Sequence, residues 1–148
     1  MQPAGVLYVG FVRSIYAHAR IKDIDKSAAL ALPGIHAVVT GPDILDDLAQ
    51  VRGGPTREIK TYPLAIGKVR YVGEPIAAVV ADSRYLAEDG AEAVVVDYEG
   101  LPAVVDPEIA MTPSSARLFD ELKSNIVYEY HFTTPGIDEL FHSSGHLF

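Results

Sequence analysis

Short apolar runs are spaced along the chain in patterns that are typical of strands. Runs rich in β-branched and aromatic residues predict strands at 6–13, 19–24, 35–40, 76–81 and 95–98. Two shorter runs, 64–66 and 69–71, flank Gly67 and Lys68. This arrangement predicts a hairpin, because glycine supplies the positive φ that a two-residue turn requires. Residues 125–132 alternate between apolar and polar positions, which is the period of a half-buried strand.

Helices are predicted where a capping residue precedes apolar positions at helical spacing. Asp82 or Ser83 is expected to begin a helix that extends to about residue 94, and Asp25 and Asp106 are expected to cap short helices at 27–30 and 108–111. A helix at 42–48 has two possible registers: Thr40 and Asp43 as a capping box, or Gly41 as the cap. A last helical piece is expected at 137–141. Strands and helices do not alternate strictly, so the predicted class is α+β, with a mixed sheet and short helices.

Composition and charge exclude several function classes. The 148 residues include 12 lysines and arginines against 20 aspartates and glutamates, a formal net charge of −8, and no cysteine. Without cysteine there is no disulfide framework, thiolate metal site or cysteine nucleophile. An acidic chain without a basic run disfavours nucleic-acid binding. No apolar stretch approaches the roughly 20 residues that span a bilayer. We therefore expect a cytoplasmic protein with no nucleic-acid or membrane partner.

A catalytic constellation does not emerge from the motifs. His142 and His146 have metal-ligand spacing, but no third ligand is placed beside them. The acidic clusters at 46–47 and 88–92 are expected on solvated helix faces. The polar segment 50–60 is predicted to be an exposed, mobile loop. The prediction is therefore no catalytic, cofactor-binding or metal-binding residue in this chain.

Two polar breaks remain between apolar strands. The pair Arg13 and Ser14 ends the first strand, and the triplet Gly73, Glu74 and Pro75 precedes the strand at 76–81. Each can be a recognition loop or simply a turn, because glycine permits positive φ and a residue before proline prefers extended geometry.

Several blocks together resemble a known family. The strongest block, residues 69–81, reads VRYVGEPIAAVVA, and further blocks lie at 7–14, 17–21, 31–35, 38–43, 87–89, 96–99 and 101–107. The chain thereby resembles the α/β-hammerhead domain of the molybdenum-binding large subunit in the xanthine dehydrogenase, aldehyde oxidase and carbon monoxide dehydrogenase family. The resemblance implies one hammerhead domain over 1–148, with 132–148 leading toward a cofactor-binding domain that is expected to be absent from the chain.

The resemblance also implies a function. Such enzymes hydroxylate carbon centres or oxidise carbon monoxide at a molybdenum–molybdopterin centre, and electrons leave through iron–sulfur clusters and often FAD. Because the family's cofactor-contacting residues and catalytic glutamate follow this domain, the chain is expected to be inactive alone. It would be a fragment or a separate structural subunit that packs against the molybdopterin-binding chain, possibly beside iron–sulfur and FAD subunits. Arg13, Ser14, Gly73, Glu74 and Pro75 are the interface candidates. The alternative is a stand-alone small-ligand-binding or regulatory module, with its ligand near residues 50–60.

Overall fold

The computed structural model describes residues 5–46, 59 and 61–145. The strands are β1 (Tyr8–Arg13), β2 (Ala19–Asp25), β3 (Ile35–Thr40), β4 (Lys68–Val69), β5 (Pro75–Ala81) and β6 (Val95–Gly100). The helices are α1 (Ser27–Leu30), α2 (Arg84–Ala93), α3 (Pro107–Ala110) and α4 (Ile137–Ser143), and a short 3₁₀ helix covers Pro42–Ile44. The predicted loop at 50–60 lies almost entirely outside the described residues, as do Asp47 and His146.

The strands form two three-stranded sheets. Sheet A has the order β1-β5-β3 and sheet B has the order β4-β2-β6, with antiparallel pairing between these strands. The uninterrupted apolar run at 76–81 is explained by its place, since β5 lies in the centre of sheet A. The predicted α+β class with short helices is confirmed, and its strands divide between two small sheets.

Helix α2 covers one face of sheet A. The Ser83 hydroxyl caps it by accepting a hydrogen bond from Leu86 N at 3.2 Å. Gly10 on β1 permits close approach, because a Cβ added there would lie 2.4 Å from the carbonyl oxygen of Ala87. Behind α1 and α2, the first core cluster contains the buried residues Val12, Ala29, Val38, Ala77, Val79 and Val94. A second cluster, of Ala19, Ala65, Val69 and Ile76, lies between β5 and sheet B.

The predicted hairpin at 64–71 is wrong. Gly67 does have a positive φ of 68°, but β4 pairs with β2, so that Ala19 lies opposite Val69. Residues 64–66 form no strand; Ala65 is buried and its N–H donates to Pro75 O at 2.7 Å. The local turn signal was correct, and the partner of β4 was decided by a strand almost 50 residues earlier in the chain.

The predicted strand at 125–132 is also not formed. Residues 126–132 are exposed, and no neighbouring strand lies beside them among the described residues. The expected helix at 42–48 is a 3₁₀ turn with Gly41 as its cap, while the Asp43 carboxylate accepts from Thr40 N at 2.8 Å. Lys26, not Asp25, occupies the cap position of α1, although the Asp25 carboxylate accepts from Ser27 N.

Candidate interface

Antiparallel pairing of β1 with β5 brings the five candidate residues together. Arg13 at the end of β1 lies opposite Pro75 at the start of β5. Ser14 N donates to Glu74 O at 2.9 Å, Gly73 N donates to Ser14 O at 2.8 Å, and Arg13 Nη1 donates to Gly73 O at 2.9 Å. Gly73 has a φ of 87°, a backbone conformation that residues with a Cβ atom rarely adopt. These residues form one hydrogen-bonded pair of turns, named here the turn junction.

The buried Ser14 hydroxyl is used inside the turn junction. Its Oγ donates to Tyr16 O at 2.8 Å and accepts from Tyr16 N at 3.0 Å. The Tyr16 and Tyr98 rings pack beside it with centroids 5.0 Å apart, and burial raises the pKa of the Tyr98 hydroxyl above its ordinary value. Ser14 therefore shapes the junction and offers no free hydrogen-bonding group to a partner.

Glu74 turns inward toward the segment that follows β4. Its carboxylate accepts from Arg70 N, and its Oε1 lies 3.9 Å from Arg70 Nη1. Arg70 Nε also donates to Leu118 O at 3.1 Å, and the guanidinium lies 4.5 Å from the centroid of the Phe119 ring. The Arg70–Glu74 pair thus fastens the loop of residues 111–125, named here the later loop, to the turn junction.

The side chains beside the turn junction are apolar and exposed. Ile15, Tyr71 and Val72 are 77%, 56% and 64% exposed. They lie on two short segments that the junction holds together, so their positions are set by backbone hydrogen bonds. We name these three residues the apolar tip.

The face of sheet A that points away from α2 is also apolar. The register places Val9 beside Val80 and Phe11 beside Ala78, with Ala37 and Val39 of β3 on the same face. We name this set of six residues the open face. Val9 and Phe11 are 53% and 47% exposed. An antiparallel sheet that keeps one face in water normally alternates apolar and polar residues. An open face that is apolar on all three strands is typical of a surface that another structure covers.

Sequence reasoning missed the open face, although a signal was present. The run at 76–81 contains no polar residue, and a strand that is apolar on both faces predicts burial on both sides. The apolar run predicts a strand, but which of its faces lacks a cover depends on where α2 packs.

A cavity of about 250 Å³ lies between the turn junction and the later loop. Its lining includes Tyr62, Ile66 and Tyr71 on one side and Leu118 and Phe119 on the other, together with the Arg70–Glu74 pair. Among the described lining residues, Arg70 is the single cation and is already paired, and the others are mainly aromatic and aliphatic.

The remaining ionisable groups make isolated contacts. Buried Lys68 donates to Asp120 Oδ1 at 2.8 Å, and this hydrogen bond holds the pKa of Asp120 below its usual value. His18 is buried with Nδ1 2.8 Å from Pro102 O, and His36 lies 2.6 Å from exposed Asp82. Among the described residues, no three His, Cys, Asp or Glu side chains are grouped for a metal ion.

Two further observations concern the predicted acidic surface and the membrane. Glu88, Asp89 and Glu92 are exposed on α2, as expected, and Glu88 pairs with Arg84 at 3.0 Å. No helix within the described ranges is long and apolar enough to cross a bilayer.

Comparison with known proteins gives consistent matches. The family described as "Aldehyde oxidase and xanthine dehydrogenase, a/b hammerhead domain" matches residues 1–102. The carbon monoxide dehydrogenase large chain of Afipia carboxidovorans is 43% identical over 122 residues, which cover 82% of this chain and 15% of that one. The nicotine 6-hydroxylase large subunit of Paenarthrobacter nicotinovorans is 38% identical over 147 residues, 97% of this chain and 18% of that one.

A solved structure agrees with the sequence matches. Quinoline 2-oxidoreductase from Pseudomonas putida 86 superposes with a TM-score of 0.78 at 39% identity, over 86% of this chain and 17% of that one. The chain thus spans less than a fifth of the length of each of these three proteins.

Proposed function

Because this chain belongs to the aldehyde oxidase and xanthine dehydrogenase a/b hammerhead family, we propose that it is a non-catalytic structural domain or subunit of a molybdenum-dependent hydroxylase. In this proposal it packs against the molybdopterin-binding part of the large subunit and has no activity alone. The whole enzyme would carry molybdenum–molybdopterin, iron–sulfur clusters and often FAD on its other parts. A cytoplasmic location belongs to the same proposal.

The open face is the observation that carries this proposal. Covering Val9 and Phe11 would remove apolar surface from water at roughly 25 cal/mol per Å². The face lies on three strands joined by antiparallel pairing, and α2 is on its other side. A preformed apolar surface of this kind suits a permanent protein contact, because little ordering is needed on association.

The turn junction supports the same contact at the end of β1. Of the five candidate residues, Ser14, Gly73 and Glu74 commit their polar groups to the fold, and Arg13 reaches back to Gly73. Their proposed role is to hold the apolar tip in place, and the tip rather than the junction would contact the partner.

The described lining of the cavity beside the turn junction offers no free cation to a molybdopterin. A phosphate-bearing pterin needs free cations or backbone donors, whereas the one arginine of the cavity is paired with Glu74 and bonded to Leu118 O. We therefore assign the cofactor to the partner and derive no chemical step in this chain.

Capture of the tagged chain from a lysate of its native source tests the proposal. We expect a polypeptide with the remaining large-subunit sequence, identified by mass spectrometry, and molybdenum in proportion to it. Isolated chain should contain no molybdenum and oxidise no aldehyde or purine. Stoichiometric molybdenum in the isolated chain, or no molybdenum-containing partner, would refute the proposal.

A matched pair of variants assigns the contact to the open face. Phe11→Asp places a charge on the open face and should weaken capture about tenfold or more. Tyr85→Asp makes the same kind of change at a side chain that is 78% exposed on α2, and capture should be unchanged. Equal capture by both variants would contradict the assignment.

The cavity favours a second candidate, a small-ligand-binding or regulatory module. Its apolar and aromatic lining and its one ion pair suit a small planar ligand with both a donor and an acceptor. A thermal-shift screen of such compounds tests it. A saturable shift that Arg70→Met abolishes would support the module, and no shift with any compound would count against it.

A further inference from the structure

Residues 126–132 form no strand, but their alternate side chains lie together in pairs, as they do in a β-strand. The Tyr128 and Tyr130 rings lie side by side, with centroids 6.3 Å apart and planes inclined by 22°. Glu129 and His131 lie together in the same way, with Oε1 2.9 Å from Nε2. In a strand, alternate side chains share a face at a spacing of about 6.6 Å. The segment therefore presents one aromatic face and one polar face.

The backbone and the aromatic face of this segment are unpaired. No backbone N–H or C=O of residues 127–132 makes a hydrogen bond with another residue that the structure describes. The hydrogen bond within the segment joins the side chains of Glu129 and His131. Tyr128, Tyr130 and Phe132 are 54%, 69% and 76% exposed. Single strands and even isolated hairpins are at best marginally stable in water. Addition to the edge of another sheet would give the backbone of such a segment its hydrogen-bond partners and would cover its aromatic face.

Asn125 fixes the point from which the segment leaves the domain. Its Oδ1 accepts from Leu118 N at 3.0 Å, and its Nδ2 donates to Ala116 O at 2.9 Å and to Ala110 O at 3.1 Å. The beginning of the segment is thus anchored to the loop that Arg70 and Lys68 hold in place. The exposed segment that follows therefore begins at a hydrogen-bonded anchor.

We propose that residues 126–132 add as a strand to the edge of a β-sheet in the molybdopterin-binding part of the large subunit. The inference rests on the proposed function and names a second contact of the same partner. The aromatic face would pack on that sheet's apolar layer, and Glu129 and His131 would face water. Main-chain hydrogen bonds would supply the pairing.

The comparisons favour this partner over a second copy of the chain. The hammerhead match ends at residue 102, whereas similarity to the nicotine 6-hydroxylase large subunit extends over 147 residues. The segment therefore recurs in a large subunit while lying outside the hammerhead match. Two copies would also bring together chains that each carry a net charge of −8, which opposes self-association.

Hydrogen–deuterium exchange of the 148-residue chain, alone and in the captured molybdenum-containing complex, tests the inference. Amides of 127–132 should exchange at nearly intrinsic rates in the isolated chain. In the complex, exchange should slow by about a hundredfold at alternate residues, since one edge of an added strand pairs with the sheet.

Two neighbouring proline variants give a matched control. Successive N–H groups of a strand point to opposite edges, so Glu129→Pro and Tyr130→Pro remove donors from different sides. One should weaken the complex about tenfold more than the other. Both should leave the melting temperature of the isolated chain unchanged, because the backbone of residues 127–132 makes no hydrogen bond to the rest of the described chain.

Each outcome bears on the inference. A complex that forms with unchanged exchange at 127–132, or with equal effects of the two prolines, overturns strand addition and leaves the proposed function standing. Concentration-dependent protection in the isolated chain would identify a second copy as the partner and overturn the inference. Failure of any molybdenum-containing complex to form overturns both.

Discussion

Replacing Gly10 by alanine should force α2 away from β1. A Cβ at this position would lie 2.4 Å from the carbonyl oxygen and 2.7 Å from the carbonyl carbon of Ala87. Both atoms belong to the backbone of α2, so no side-chain rotation can relieve the contact. Ordinary carbon contacts are roughly 3.5 Å, and the helix would have to move by about 1 Å.

Two opposing effects determine how far Gly10→Ala lowers the free energy of unfolding. Overpacking of this kind costs about 1–3 kcal/mol. Replacing glycine in an ordinary strand conformation returns about 0.4–1 kcal/mol by restricting the unfolded chain. The free energy of unfolding should therefore fall by about 1–2 kcal/mol, equivalent to a Tm lower by roughly 3–8 °C at this chain length.

Gly100 on β6 supplies the matched control. A Cβ there would meet only the Tyr16 ring, at 3.6 Å, which is an ordinary contact. Gly100→Ala should leave the free energy of unfolding unchanged or raise it slightly. Urea unfolding followed by circular dichroism measures both variants. Wild-type stability in Gly10→Ala, or an equal loss in both variants, would refute the close packing of α2 on β1.

Three further predictions concern the loop and junction beyond β4. Asn125→Ala removes three hydrogen bonds of 2.9–3.1 Å and a longer one of 3.5 Å to Ser115 Oγ, and should destabilise the loop by about 2–3 kcal/mol. Amide exchange over 110–125 should become faster, and unchanged exchange would contradict this role of Asn125. The hydrogen bond from Lys68 is the largest cause of the lowered pKa of Asp120. Because the folded pKa lies below the unfolded one, the ionised carboxylate stabilises the fold above the unfolded pKa. This stabilisation is lost as the pH falls through the folded pKa. The urea midpoints of wild type and Asp120→Asn should thus differ at pH 6 and converge as the pH falls through the lowered folded pKa; a difference that stays constant over this range would count against the linkage. Glu74→Ala leaves Arg70 N without its acceptor and should cost about 1–2 kcal/mol in urea unfolding, whereas Glu74→Gln should cost less than half of that, and equal losses would contradict the role of the acceptor.

Much of the local structure was predictable because its signals lie within a few residues. The cap at Ser83, the cap at Asp106 before Pro107 and the turn at Gly73 all occur as expected. The apolar run of β5 was likewise identified correctly. These features depend on side chains and backbone conformations in direct sequence proximity.

The candidate interface was only partly predictable. Arg13 and Ser14 do meet Gly73, Glu74 and Pro75, although about 60 residues separate the two groups. Sequence alone could not reveal that their polar groups bond to one another and leave the apolar tip as the exposed surface. Whether the tip and the open face contact a partner stays a prediction.

Local sequence signals were sufficient to place most of the strands and helices, to exclude cysteine chemistry and to identify the family. Only the tertiary structure decided that β4 pairs with β2, that the strands divide into two sheets, and that residues 126–132 pair with no strand among the described residues. It also decided which face of sheet A lies open. Caps and turns are local interactions, whereas strand pairing and the covering of a face join residues distant in sequence, and an apolar pattern specifies burial without naming the partner.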